Sequence, residues 1–142
     1  MDLLRIGKIL LYTSIMITTL LAACREGHDT HDLVGRWQVD SIYTYYNGFA
    51  YMTTDNFTPT TYTYNEDGTL QEEKLGGARI IYYRLTASDS LIYESADRTI
   101  LGRYHIQKLD QNQLVLAKTK EPLFEGSGQR RYEIRFFSKL TP

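Results

Sequence analysis

Cysteine is almost absent: Cys24 is the only one in 142 residues. No disulfide can form within one chain, so the core alone must hold the fold together. An excess of one charge sign is lacking too. The 16 basic and 17 acidic residues give a net charge of −1, which leaves no overall basic excess for nucleic acid. There is no Gly-x-Ser-x-Gly nucleophile elbow, and no glycine-rich phosphate loop ahead of a helical stretch. The one long apolar run, residues 9–21, has thirteen residues. A helix needs roughly twenty to cross about 30 Å of hydrocarbon.

That run has a different signature. Arg5 and Lys8 precede it, and the small residues Ala22 and Ala23 close it. A positive start, a short apolar middle and small residues at the end make a secretory signal. Leu21-Ala22-Ala23 directly before Cys24 resembles the lipobox of bacterial lipoproteins. The resemblance implies cleavage before Cys24 and acylation of its thiol and new amino terminus. Burial contributes about 0.8 kcal/mol per CH₂, so one chain holds only marginally and stable anchoring takes more than one. The implied partner is a membrane, and the implied place is the cell envelope, at the outer membrane of a Gram-negative, Bacteroidetes-like bacterium.

Residues 1–23 are thus the expected signal peptide, 24–32 a tether and 33–142 the folded domain. Cleavage leaves 119 residues with 14 basic and 16 acidic side chains, enough for one domain. The tether is polar throughout. His28 and His31, with Asp29 and Asp32, are metal-ligating types, but a polar leader offers nothing to orient the imidazoles. No metal site and no cofactor are expected. The domain is short of alanine and leucine, which disfavours helix. Eleven of the twelve tyrosines lie beyond the leader, and tyrosine suits half-buried strand positions.

Period-two alternation begins at Trp37 and runs through Val39, Ser41, Tyr43 and Tyr45, as in a strand with one buried face. Asn47-Gly48 ends it with a hairpin turn signal. Residues 49–54 read either as a short extra strand or as a lid over one end. Further strands are expected at 60–64, 69–74, 80–85, 91–95, 100–109, 114–118 and 130–140, joined mostly by tight turns. About eight sequential antiparallel strands with no helix predict an all-β, up-and-down barrel, because closure removes exposed edges.

Gly35-Arg36-Trp37 fits the G-x-W pattern that opens the first strand of lipocalins, where the tryptophan plugs the closed end. The order of Tyr64 to Thr69, Tyr83-Arg84-Leu85, Leu114-Val115-Leu116 and Tyr132 to Phe136 resembles the lipocalin-like lipoprotein domains of Bacteroidetes. The resemblance implies a barrel able to bind a small ligand.

On the continuous alternation, the inward tyrosines are Tyr43, Tyr45, Tyr62, Tyr64, Tyr83, Tyr93 and Tyr104. Most are expected to fill the core. Tyr45, Tyr62 and Tyr83, taken to lie at the end away from Trp37, are the expected contacts for a small apolar ligand. Catalysis finds no support. His105 falls on the outward phase, and the adjacent Glu72 and Glu73 point to opposite faces of a strand. The alternative to ligand binding is a protein-interaction module of an envelope assembly, or an inhibitor, using loops 48–59 and 121–129. Clustering of Phe49, Tyr51, Phe57 and Phe124 on one rim is the feature that favours it.

Overall fold

The computed structural model describes residues 30–54, 59–86, 89–124, 126 and 128–141. The leader, Cys24, His28, Asp29 and Phe57 lie outside the described residues. One turn of helix, α1 (Thr30–Leu33), precedes nine strands: β1 (Gly35–Tyr46), β2 (Phe49–Thr54), β3 (Thr61–Tyr64), β4 (Thr69–Lys74), β5 (Gly77–Leu85), β6 (Ser90–Glu94), β7 (Ile100–Leu109), β8 (Gln113–Lys120) and β9 (Arg131–Lys139). The described chain begins within the stretch 24–32 expected as tether, and a short helix stands at its start where none was expected.

All pairings are antiparallel. The sheet runs β1-β3-β4-β5-β6-β7-β8-β9 and returns to β1, closing an eight-stranded barrel with β2 as an extra strand. β1 is the longest strand, and on one side it meets β9 from Trp37↔Lys139 to Tyr46↔Arg131. On its other side β3 covers residues 35–38 and β2 covers 41–46. The β1–β2 turn uses Asn47 (φ 45°) and Gly48 (φ 100°), the left-handed pair that a two-residue hairpin demands.

Every core residue lies between Leu33 and Phe137, and every strand between Gly35 and Lys139. Residues 30–142 thus carry the whole of the described barrel and its core, and this segment should fold without the leader.

One irregularity sets the interior. Val39 pairs with Phe137, but Ser41 pairs with Phe136, so Asp40 is an extra residue in β1. Paired residues share a face, and a one-residue slip moves every later side chain to the other face. Beyond Asp40 the inward positions are therefore Ile42, Thr44 and Tyr46, opposite Arg135, Glu133 and Arg131. Tyr43 and Tyr45 face outward, contrary to the unbroken alternation from Trp37. Tyr45 stacks on Tyr132 with ring centroids 4.8 Å apart, and Tyr43 lies 6.1 Å from the same ring.

Candidate functional site

One end of the barrel is sealed. Trp37 and Leu33 are fully buried, and the Trp37 Nε1–H donates to the Leu33 carbonyl at 2.8 Å. Lys139 places its ammonium 5.0 Å from the centre of the indole ring, a cation–π contact. The glycine of the G-x-W motif has a physical role here. Gly35 has φ +132°, and a Cβ on it would stand 2.8 Å from Lys139 Cε. The turns after β3, β5 and β7 lie at this end, as their strand directions require.

The rest of the interior is built of tyrosine together with Leu70, Leu91, Ile106, Leu114 and Leu116. The Tyr64 and Tyr93 hydroxyls bond each other at 2.5 Å, and Tyr83 donates to the Asn65 carbonyl at 2.6 Å. Tyr62 donates to Glu72 Oε1 at 2.8 Å and accepts from Arg135 at 3.1 Å. Tyr64 packs edge-on against Tyr83, and Tyr62 edge-on against Phe137. Burial pushes the phenols of Tyr62, Tyr64 and Tyr93 far above their ordinary range, so they stay neutral hydrogen-bonding groups. Among the described residues no buried side-chain polar atom lacks a partner. These rings fill an interior only just wide enough for side chains.

The three expected ligand contacts are not brought together. Tyr45 is on the outer wall, Tyr62 is the cross-strand neighbour of Trp37, and Tyr83 bonds a turn at the sealed end. Tyr45 does lie at the end away from Trp37, where it borders a depression with Lys120 and Arg131, but the bulge at Asp40 turns it to the outer face. Strand direction misplaced Tyr83, because β5 runs from the open end at Gly77 toward the seal. Trp37 stands at the closed end as expected. His105 is exposed, paired with outward Ala117, and Glu72 and Glu73 do face opposite sides.

Toward the open end the inward side chains become charged, which sequence reasoning missed. Glu72 is buried and bonds Tyr62, Lys74 and Arg79. Glu133 is buried and bonds Lys120 and Arg135, each at 2.5 Å. Arg135 and Lys118 lie over the Tyr104 ring, each 5.3 Å from its centre. Gly102 makes room for them, since a Cβ there would meet Tyr104 at 3.0 Å and Lys118 Nζ at 3.1 Å. Burial alone would raise the carboxyls of Glu72 and Glu133. Their hydrogen bonds and cations outweigh it and hold both below the ordinary range. For Arg135, burial opposes charge, but Tyr104, Tyr62 and Glu133 prevail and keep it protonated.

The cations exceed the carboxylates. Lys74 and Arg79 share Glu72, and Lys120 and Arg135 share Glu133. Lys118 and Arg131 have no carboxylate partner among the described residues. Arg131 donates to the Glu121 carbonyl at 2.9 Å and lies 5.6 Å from the Tyr46 ring centre. It also stands directly opposite Lys120 across the β8–β9 pair.

Depressions meet at that pair. One of about 560 Å³ is bordered by Ile100, Leu101, Lys118, Lys120, Pro122 and Arg131, among others. Another, of about 340 Å³, lies between Tyr51, Leu123, Lys120 and Arg131. Phe49, Tyr51, Leu123 and Phe124 are all more than half exposed, on the β1–β2 hairpin and the β8–β9 loop that rise at the open end.

The two buried carboxyls give a pH dependence with a definite sign. A folded-state pKa below the unfolded value contributes stability above the unfolded pKa, near 4.3 for Glu, and that contribution fades as pH falls through the folded value. Thermal melts of residues 30–142 should show a flat midpoint from pH 7 to about 5 and a fall below about 4. A midpoint that rises on acidification would contradict the ionised state of Glu72 and Glu133.

No protein-family model, no curated protein and no solved structure matches this chain.

Proposed function

We propose that the chain is a lipid-anchored, lipocalin-like barrel without catalytic activity, which holds a small ligand at its open end. The observation that carries this reading is the asymmetry of the barrel: one end is plugged by Leu33 and Trp37, while depressions converge at the other. The tyrosine layer leaves little reason to place a ligand deep inside, so the ligand sits at the mouth. Native mass spectrometry and a thermal-shift screen of residues 30–142 against lipids, porphyrins and aromatics test it. A bound species with a raised melting point is expected, and absence of any binder would remove the reading.

Anchoring rests on Leu21-Ala22-Ala23-Cys24. Full-length chain expressed in a Gram-negative host should incorporate radiolabelled palmitate, and Cys24→Ser should abolish the label. Equal labelling of the two would contradict it.

A second reading has its own observation. Phe49, Tyr51, Leu123 and Phe124 project at one rim, and contiguous exposed apolar groups mark contact surfaces. In that reading the rim meets an envelope protein. Pull-downs from solubilised membranes should then lose partners on Phe49→Ser and Phe124→Ser, and unchanged recovery would count against it.

A further inference from the structure

Like charges placed directly opposite on one face of a sheet destabilise it. Lys120 and Arg131 are such a pair, on the inward face at the last register position of β8 and β9. Lys120 has Glu133 to lean on, but Glu133 is already shared with Arg135. Two positions deeper, Lys118 faces the same space and has the Tyr104 ring beside it but no carboxylate partner among the described residues. All three cations border the depression of about 560 Å³, to which Arg103 adds a fourth and Glu121 the one carboxylate among its described lining residues. Apolar groups border it as well: Ile100 and Leu101, 42% and 47% exposed, and Pro122. Exposed Ile100 and Leu101 stand next to Lys120, which shares Glu133 with Arg135, and next to Lys118 and Arg131, which have no carboxylate partner among the described residues; the surface sets two chemistries side by side.

We infer that this depression binds the anionic head of an amphiphile, a carboxylate or phosphate ester, between Lys118, Lys120 and Arg131, with its hydrocarbon chain on Ile100, Leu101 and Pro122. This rests on the small-ligand reading above and names the class of ligand. An anion between Lys120 and Arg131 turns a repulsive cross-strand pair into two charge-assisted contacts, the stronger kind of hydrogen bond. The chain adds apolar burial that inorganic phosphate cannot supply. The same head group is offered by a soluble fatty anion and by an anionic lipid in a bilayer, and the test separates them.

The probes are monomeric sodium dodecanoate, dodecyl maltoside as a neutral-headed counterpart, inorganic phosphate, and phosphatidylcholine vesicles with and without phosphatidylglycerol. Calorimetry on residues 30–142 should show dodecanoate binding that weakens with salt and exceeds both dodecyl maltoside and phosphate. Arg131→Gln should weaken it about tenfold or more while leaving the melting point of the free protein unchanged or higher, because it relieves the repulsion with Lys120. Lys108→Gln, at the sealed end, should bind as the native chain does. Binding only to vesicles containing phosphatidylglycerol would support the head-group chemistry and assign its source to the bilayer. Equal binding of dodecanoate and dodecyl maltoside, untouched by Arg131→Gln, would overturn the anionic class while leaving a ligand at the mouth. No binding of any probe would overturn the inference, and an empty broad screen with it would remove the small-ligand reading as well.

Discussion

Trp37→Ala is expected to cost about 3–5 kcal/mol, the range for truncating a large buried aromatic. The indole is fully buried, and its loss leaves three separate defects. A cavity opens beneath Tyr62, its cross-strand neighbour. The Leu33 carbonyl loses its 2.8 Å donor, and α1 loses the side chain it closes upon. For a domain of about this size each kcal/mol lowers the melting point by roughly 4–8 °C, so a drop of at least about 12 °C should be seen by circular dichroism. Trp37→Phe separates the contributions: it keeps most of the packing and loses the hydrogen bond, for about 1–3 kcal/mol. Equal stability of native chain and Trp37→Ala would mean that the barrel is not sealed by this residue.

The second large effect lies in the charged layer. Arg135→Met should destabilise by about 2–4 kcal/mol, toward the range for removing one partner of a buried pair. Arg135 bonds Glu133 at 2.5 Å and Tyr62 at 3.1 Å, and its side chain is only 22% exposed. Without it Glu133 keeps Lys120 alone in an enclosed site. Adding Glu133→Leu should recover much of the loss, because replacing both members of a buried pair by apolar groups is often near neutral. Chemical denaturation of the two single variants and the double variant measures the coupling. Strictly additive losses would show that the two residues do not form a pair inside the barrel.

The strands and their order were legible because alternation and turn residues are local signals. Asn47-Gly48 and the loop ending at Gly68 fell where the chain turns. The site was less legible, and Asp40 shows why. Continuing the Trp37 phase to Tyr45 ignores a bulge that no residue type announces. One hint was present: Ile42 is the apolar exception among the even positions 38–44, and the slip is what carries it inward. At β9, Phe136-Phe137 offers an apolar residue to either face, so composition could not say which phase faces in. Phe137 won by packing against Leu114, and Glu133 and Arg135 followed it. The rule that charge points to solvent failed there because three partners per carboxylate, at most, were waiting inside.

β2 marks another limit of local reading. A strand was one of two readings for it, the other being a lid, and its place was not foreseen: it continues the line of β3 along β1, above the pairs that close the barrel. Its six residues are all exposed, and its tyrosine and phenylalanine serve the rim rather than the core.

The phase of β1 beyond Asp40, and of β9 paired with it, underlies the mouth, its cations and the outward position of Tyr43, Tyr45 and Tyr132, and nuclear Overhauser spectroscopy of residues 30–142 tests it most directly. The account requires cross-peaks between the rings of Tyr45 and Tyr132, and between the Arg135 side chain and the rings of Tyr62 and Tyr104. Cross-peaks from Tyr45 to Tyr62 or Tyr104 instead, with none to Tyr132, would contradict it.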